Sequence, residues 1–169
     1  MRNLILFTLF FLLLNATGES QQKEWLDIKS VEEDFAISFP SKPSDEKSDT
    51  RGFFHTGYHI YSVYEGKTSY SIGCYSVNTP LEPDEIERKF NYVAELLLFP
   101  TYKLVSSKSI TLNGYPGREV RIEGEKNLWI LRVYMTKGWM YHILTSQPKR
   151  KGESPDTIRF HESFRLLDP

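Results

Sequence analysis

Residues 83–98 read PDEIERKFNYVAELLL, and their period differs from that of the chain on either side. Ile86, Phe90, Val93 and Leu97 fall at spacings of four, three and four, one stripe of an amphipathic helix. Glu82, Asp84 and Glu85 crowd its start, where the helix dipole favours negative charge. Pro100 stops it.

The flanks carry the two-residue period of strands. Phe35, Ile37 and Phe39 alternate with Ala36 and Ser38 until Pro40, and residues 25–28 suit a short strand before them. Residues 41–51 are polar and aperiodic, which predicts an exposed loop. Residues 52–64 and 68–77 are dense in aromatic and β-branched types. Glu65-Gly66-Lys67 between them supplies the turn of a hairpin. Downstream, residues 102–112 lead into the turn Asn113-Gly114-Tyr115-Pro116-Gly117. Strands are expected at 117–124, 128–135 and 139–146, the last two joined by Thr136-Lys137-Gly138. A polar, basic loop follows over 147–153. Ser154-Pro155 is an N-cap followed by a first-turn proline, which opens a short helix to about Ser163. Phe164 to Leu167 closes the chain. Segregated runs of strands and helices predict an α+β fold. The sheet is mainly antiparallel, flanked by one long and one short helix.

The first residues read as a secretory leader. Met1-Arg2-Asn3 is positively charged, Leu4 to Leu14 is apolar but for Thr8, and Ala16-Thr17-Gly18 are small. The apolar run is shorter than the roughly 20 residues a membrane span needs. Cleavage is expected near Gly18. Removing 18 of the 169 residues leaves a mature domain of 151, residues 19–169. No integral membrane segment remains after cleavage. The expected location is secreted or periplasmic.

Composition bounds the rest. Whole-chain net charge is −1, and a near-neutral chain argues against a nucleic-acid partner. With 40% hydrophobic and 14% aromatic residues the chain can build a packed core. Cys74 is the only cysteine, so an intramolecular disulfide is impossible. There is no Gly-rich phosphate loop, Cys-x-x-Cys, His-Glu-x-x-His or calcium loop, and no cofactor is expected.

Several segments occur in an order seen in small exported bacterial proteins. Asp34 to Pro40 is an aromatic strand ending in proline. Leu112 to Glu119 contains the Asn-Gly-Tyr-Pro-Gly turn. Arg132-Val133-Tyr134 precedes Tyr141-His142-Ile143-Leu144, and Phe160 to Leu166 ends the chain. The order resembles the Mog1/PsbP-like superfamily, which includes DcrB-like envelope proteins. The resemblance implies an antiparallel sheet sandwiched by helices, and accessory or binding work rather than catalysis. It carries over no site. No residue here points to the photosystem partner of PsbP-like members, and the leader contradicts the nuclear role of Mog1-like ones.

The residues leave few catalytic candidates. His55 and His59 share a strand face but stand about 13 Å apart, too far to bind one metal together. Cys74 alternates with Tyr70 and Ile72 and is expected in the core. Ser163 lies beside Glu162 and near His161, without a Gly-x-Ser-x-Gly elbow. Glu119, Arg121 and Glu123 share a strand face and suit cross-strand ion pairs. Lys149-Arg150-Lys151 is the one basic run, expected on a solvated loop.

The aromatic hairpin is the least ordinary feature. Phe53, His55, His59 and Tyr61 fall on one face; Phe54, Tyr58 and Ile60 fall on the other. A face left open would be an apolar patch for a partner or ligand. The leading expectation is an exported, non-catalytic binding or accessory module of the cell envelope. Its partner would be another envelope protein or a small ligand. The alternatives are a small-ligand or lipid carrier with an apolar pocket under the long helix, and a hydrolase-type enzyme using a histidine as acid or base.

Overall fold

A computed structural model of the chain describes residues 24–49, 56–77, 81–98 and 100–167. Residues 1–18, where a leader is expected, lie outside these residues. Ten strands and two helices run in the order β1 (Leu26–Ser30), β2 (Phe35–Phe39), β3 (Ser44–Ser48), β4 (Tyr58–Glu65), β5 (Thr68–Ser76), α1 (Pro83–Leu96), β6 (Lys103–Leu112), β7 (Tyr115–Glu123), β8 (Asn127–Met135), β9 (Trp139–Pro148), α2 (Pro155–Ser163) and β10 (Arg165–Leu166). Seven strands form one sheet in the order β3-β4-β5-β9-β8-β7-β6, and every pairing is antiparallel. A small second sheet has the order β1-β2-β10. The fold is α+β, with the antiparallel sheet and the two helices the sequence predicts.

Both helices start as their sequences dictate. Glu82 and Glu85 form a reciprocal capping box on α1, with Pro83 in the first turn. The Ser154 hydroxyl accepts from Thr157 N at 3.2 Å on α2, followed by Pro155.

The large sheet has two unlike faces. On one, Tyr70, Ile72, Cys74, Tyr141 and Ile143 pack against Phe35, Ile37 and Phe39 of β2 and Phe160 of α2. This layer is mostly sheet on sheet, with Phe160 of α2 packed beside β2. The pairing of β10 with β2 brings residues 165–166 against 35–36, a contact no local pattern announces. On the other face, Phe90 and Val93 of α1 pack over Val120, Ile122, Leu131 and Val133 of β7 and β8.

One further element departs from expectation. β3 (SDEKS) lies inside the predicted loop and pairs with β4 along its full length. It buries neither face, so it shows no apolar alternation. Its charges suit an edge strand, where they discourage pairing with another chain.

Candidate functional site

Arithmetic of size creates the site. Seven strands at about 4.8 Å spacing span about 29 Å, whereas one helix is about 10 Å wide. α1 sits over β7 and β8, so β4, β5 and β9 keep part of their α1-side face open. The result is a cleft of about 410 Å³ between that open floor and one flank of the helix.

The floor alternates as the registers require. Gly73 of β5 stands opposite Ile60 of β4 and His142 of β9, and all three point into the cleft. Tyr75, Met140 and Leu144 complete it. Tyr92, Val93 and Leu96 from the last turns of α1, with Leu97 just after it, form the wall. Leu96 is 58% exposed, which places it on the rim.

Gly73 shapes the floor. A Cβ there would stand 2.8 Å from the Tyr75 ring and 2.9 Å from its hydroxyl. The missing side chain lets the Tyr75 ring fold over the backbone, where it meets the His142 ring at 4.4 Å between centroids. Burial raises the Tyr75 phenol above its ordinary value, so it stays neutral. The cleft is an apolar slot whose polar groups are few: Ser71, His142 and the tyrosine hydroxyls.

The hairpin residues singled out from sequence lie elsewhere. His59 and Tyr61 point to the opposite face, toward the small sheet; Phe53 and His55 lie outside the described residues. Tyr61 packs edge-on against Phe35, with centroids 5.8 Å apart. His59 Nδ1 is 2.8 Å from Glu33 Oε1, and its Nε2 is 3.4 Å from Asp45 Oδ2. Ser30 Oγ donates to the other Glu33 oxygen, not to the imidazole. The hydroxyl that does meet the ring is the Tyr61 phenol, 3.1 Å from Nδ1, and burial pushes its pKa up to about 12, away from the ionised form a nucleophile needs.

The remaining candidates hold structure together. Burial pushes the Cys74 thiol up, away from the thiolate a nucleophile needs. Ser163 Oγ accepts from Ser38 N at 3.0 Å and donates to Phe160 O at 2.8 Å, which ties α2 to β2. His161 is 3% exposed and hydrogen-bonded through Nε2 to Thr145 Oγ1 at 3.0 Å. Burial, with the nearby Arg132 charge, holds its pKa down to about 3. Glu119 joins Arg132 and Arg121, and Arg121 reaches Glu153 at 2.8 Å. Lys149 lies 3.8 Å from Glu123. Among the described residues no group of three or more His, Cys, Asp or Glu could hold a metal ion.

Sequence reasoning missed Gly73, Tyr75 and His142 as a unit. The available signal was a glycine inside a strand, which often marks a close approach by another group.

No family model matches the chain, and no curated protein matches its sequence. Solved structures do match. The solution structure of cyanobacterial PsbP (CyanoP) from Synechocystis sp. PCC 6803 superposes with a TM-score of 0.62 at 8% identity, covering 92% of this chain and 99% of that one. A Pseudomonas aeruginosa protein of unknown function gives a TM-score of 0.41 at 13% identity, over 82% of this chain and 89% of that one. The fold of this chain is PsbP-like.

Proposed function

We propose that the chain is an exported, non-catalytic binding module whose cleft under α1 takes a small apolar ligand. The observation that carries this reading is the half-covered sheet face, which leaves a slot of about 410 Å³ walled by aliphatic and aromatic side chains. Ligand pockets commonly measure about 300–1,000 Å³ and combine apolar walls with few polar groups. Exposed Leu96 at the rim gives an apolar entry. Among the described residues His59 is the histidine paired with a buried carboxylate; its second nitrogen faces Asp45 and the only hydroxyl on its ring is the neutral Tyr61 phenol, which favours binding over hydrolysis. Export rests on the charged, apolar and small-residue order of residues 1–18.

The test uses the mature chain, residues 19–169, and the neutral dye N-phenyl-1-naphthylamine. Dye fluorescence should rise and saturate at one site. Ser71→Phe, which fills the cleft from its floor, should abolish that rise while leaving the circular dichroism unchanged. Non-saturating binding, or equal binding by the variant, would defeat the reading. N-terminal sequencing of the chain recovered outside the cytoplasm should begin near residue 19.

A further inference from the structure

A second cleft lies at one end of the molecule, where three turns and the final strand meet. It measures about 570 Å³. The β1–β2 turn contributes Asp34, the β6–β7 turn Asn113, and the β8–β9 turn Lys137. Tyr115, Trp139 and Leu166 form its apolar surfaces.

Two independent observations single it out. Asp34 (φ 54°) and Asn113 (φ 50°) are the only non-glycine residues with positive φ among those described, and both border this cleft. Aspartate and asparagine adopt this backbone more readily than other side chains, as in the Asn113-Gly114 hairpin turn, and glycine adopts it freely. The polar ends are also unused. All three side chains are exposed, and no hydrogen bond or ion pair among the described residues engages the Asp34 carboxylate, the Asn113 carboxamide or the Lys137 ammonium.

We infer that this cleft binds the sugar ring of a neutral carbohydrate. The three free groups are an acceptor, a donor, and a carboxamide that is both. Asp34 repels an anion that Lys137 attracts, and Lys137 repels a cation that Asp34 attracts, so a ligand with net charge gains little. Neighbouring hydroxyls both donate and accept, and can satisfy all three groups. The half-buried Trp139 and Tyr115 rings offer apolar surface to the C–H face of the same ring. A free sugar and a sugar within a longer glycan present this chemistry alike.

The test is a backbone amide NMR titration of residues 19–169 with neutral sugars, namely glucose, N-acetylglucosamine and xylose, plus the β1,4 disaccharide of N-acetylglucosamine. Phenylalanine serves as the zwitterionic control. At least one sugar should shift the amides of Gly114, Lys137 and Gly138 to saturation, with phenylalanine inert. Tighter binding of the disaccharide identifies a glycan chain as the source; equal binding identifies a free sugar. Asp34→Gly and Asn113→Gly remove the polar ends and suit the left-handed backbone, so both should fold normally. Each should weaken binding about tenfold or more. The proposal is overturned if no sugar shifts those amides, if phenylalanine shifts them equally, or if both glycine variants bind unchanged.

Discussion

Glu33 Oε1 lies 2.8 Å from His59 Nδ1, with the carboxylate 1% exposed and the imidazole 12%. This contact joins the β1–β2 turn to β4, and hence the small sheet to the large one. A buried carboxylate is costly unless its oxygens are satisfied. Ser30 Oγ donates to the second oxygen, and the Glu33 backbone carbonyl accepts from Tyr141 at 2.6 Å. Tyr61 OH adds a contact to His59 Nδ1 at 3.1 Å. Burial first, and the Glu33 charge second, push the Tyr61 phenol up to about 12, so it remains a neutral neighbour. The cluster therefore orients two layers.

His59→Ala removes the partner and leaves the buried carboxylate short of one hydrogen bond. The expected loss of stability is about 1–3 kcal/mol in urea denaturation. The same substitution in a Glu33→Gln background should cost much less, because no charge is then stranded. Equal costs in the two backgrounds would show that the pair contributes nothing.

Gly73→Ala tests the floor of the cleft under α1. The new methyl group would collide with the far end of the Tyr75 side chain, not with backbone. The ring can swing away, so stability should change by about 1 kcal/mol or less. The displaced ring should enter the cleft and weaken N-phenyl-1-naphthylamine binding several-fold. Unchanged dye binding would mean that the Tyr75 position does not define the cleft.

Much of this fold is legible in the sequence because its signals are local. The α1 stripe, the Glu65-Gly66-Lys67 turn and the Ser154 cap need only neighbours in the chain. What escapes reading depends on distant partners. β3 has no buried face and so no period. Glu33 stands in the acidic run 32–34, which reads as solvated until β4 brings His59 over it. The cleft under α1 is the difference between the width of a sheet and the width of a helix. No single residue encodes it, although Gly73 hints at it.

Cys74 should resist labelling. It is fully buried, and burial raises its thiol well above the ordinary range. Ellman's reagent should find no thiol in the native chain and one per chain in guanidinium chloride. Non-reducing gels of the native chain should show no disulfide-linked dimer. Rapid native labelling would place the thiol at the surface.

His161 makes acid stability measurable. Its pKa falls from 6.5 to about 3 on folding, chiefly because burial disfavours the charged ring. Below about pH 6.5 the unfolded chain takes up a proton that the folded chain refuses. Stability from this residue is therefore whole at neutral pH and declines as pH falls from about 6.5 toward 3, by up to about 1.4 kcal/mol per pH unit. Glu119 acts in the same direction at lower pH. Burial alone would raise its pKa, but hydrogen bonds from Arg132 and Arg121 more than offset that and lower it. Its stabilisation is present above pH 4.5 and is lost as the folded carboxylate protonates. His161→Gln keeps a polar partner for Thr145 and removes only the histidine's titration. Subtracting the variant's urea-derived stability from that of the parent at each pH removes the carboxylate contributions the two chains share, leaving His161 and its coupling to Glu119. The difference should fall steadily from pH 6.5 to 3.5. A flat difference would mean that His161 protonates inside the folded chain at its ordinary value, and that the α2 face admits water.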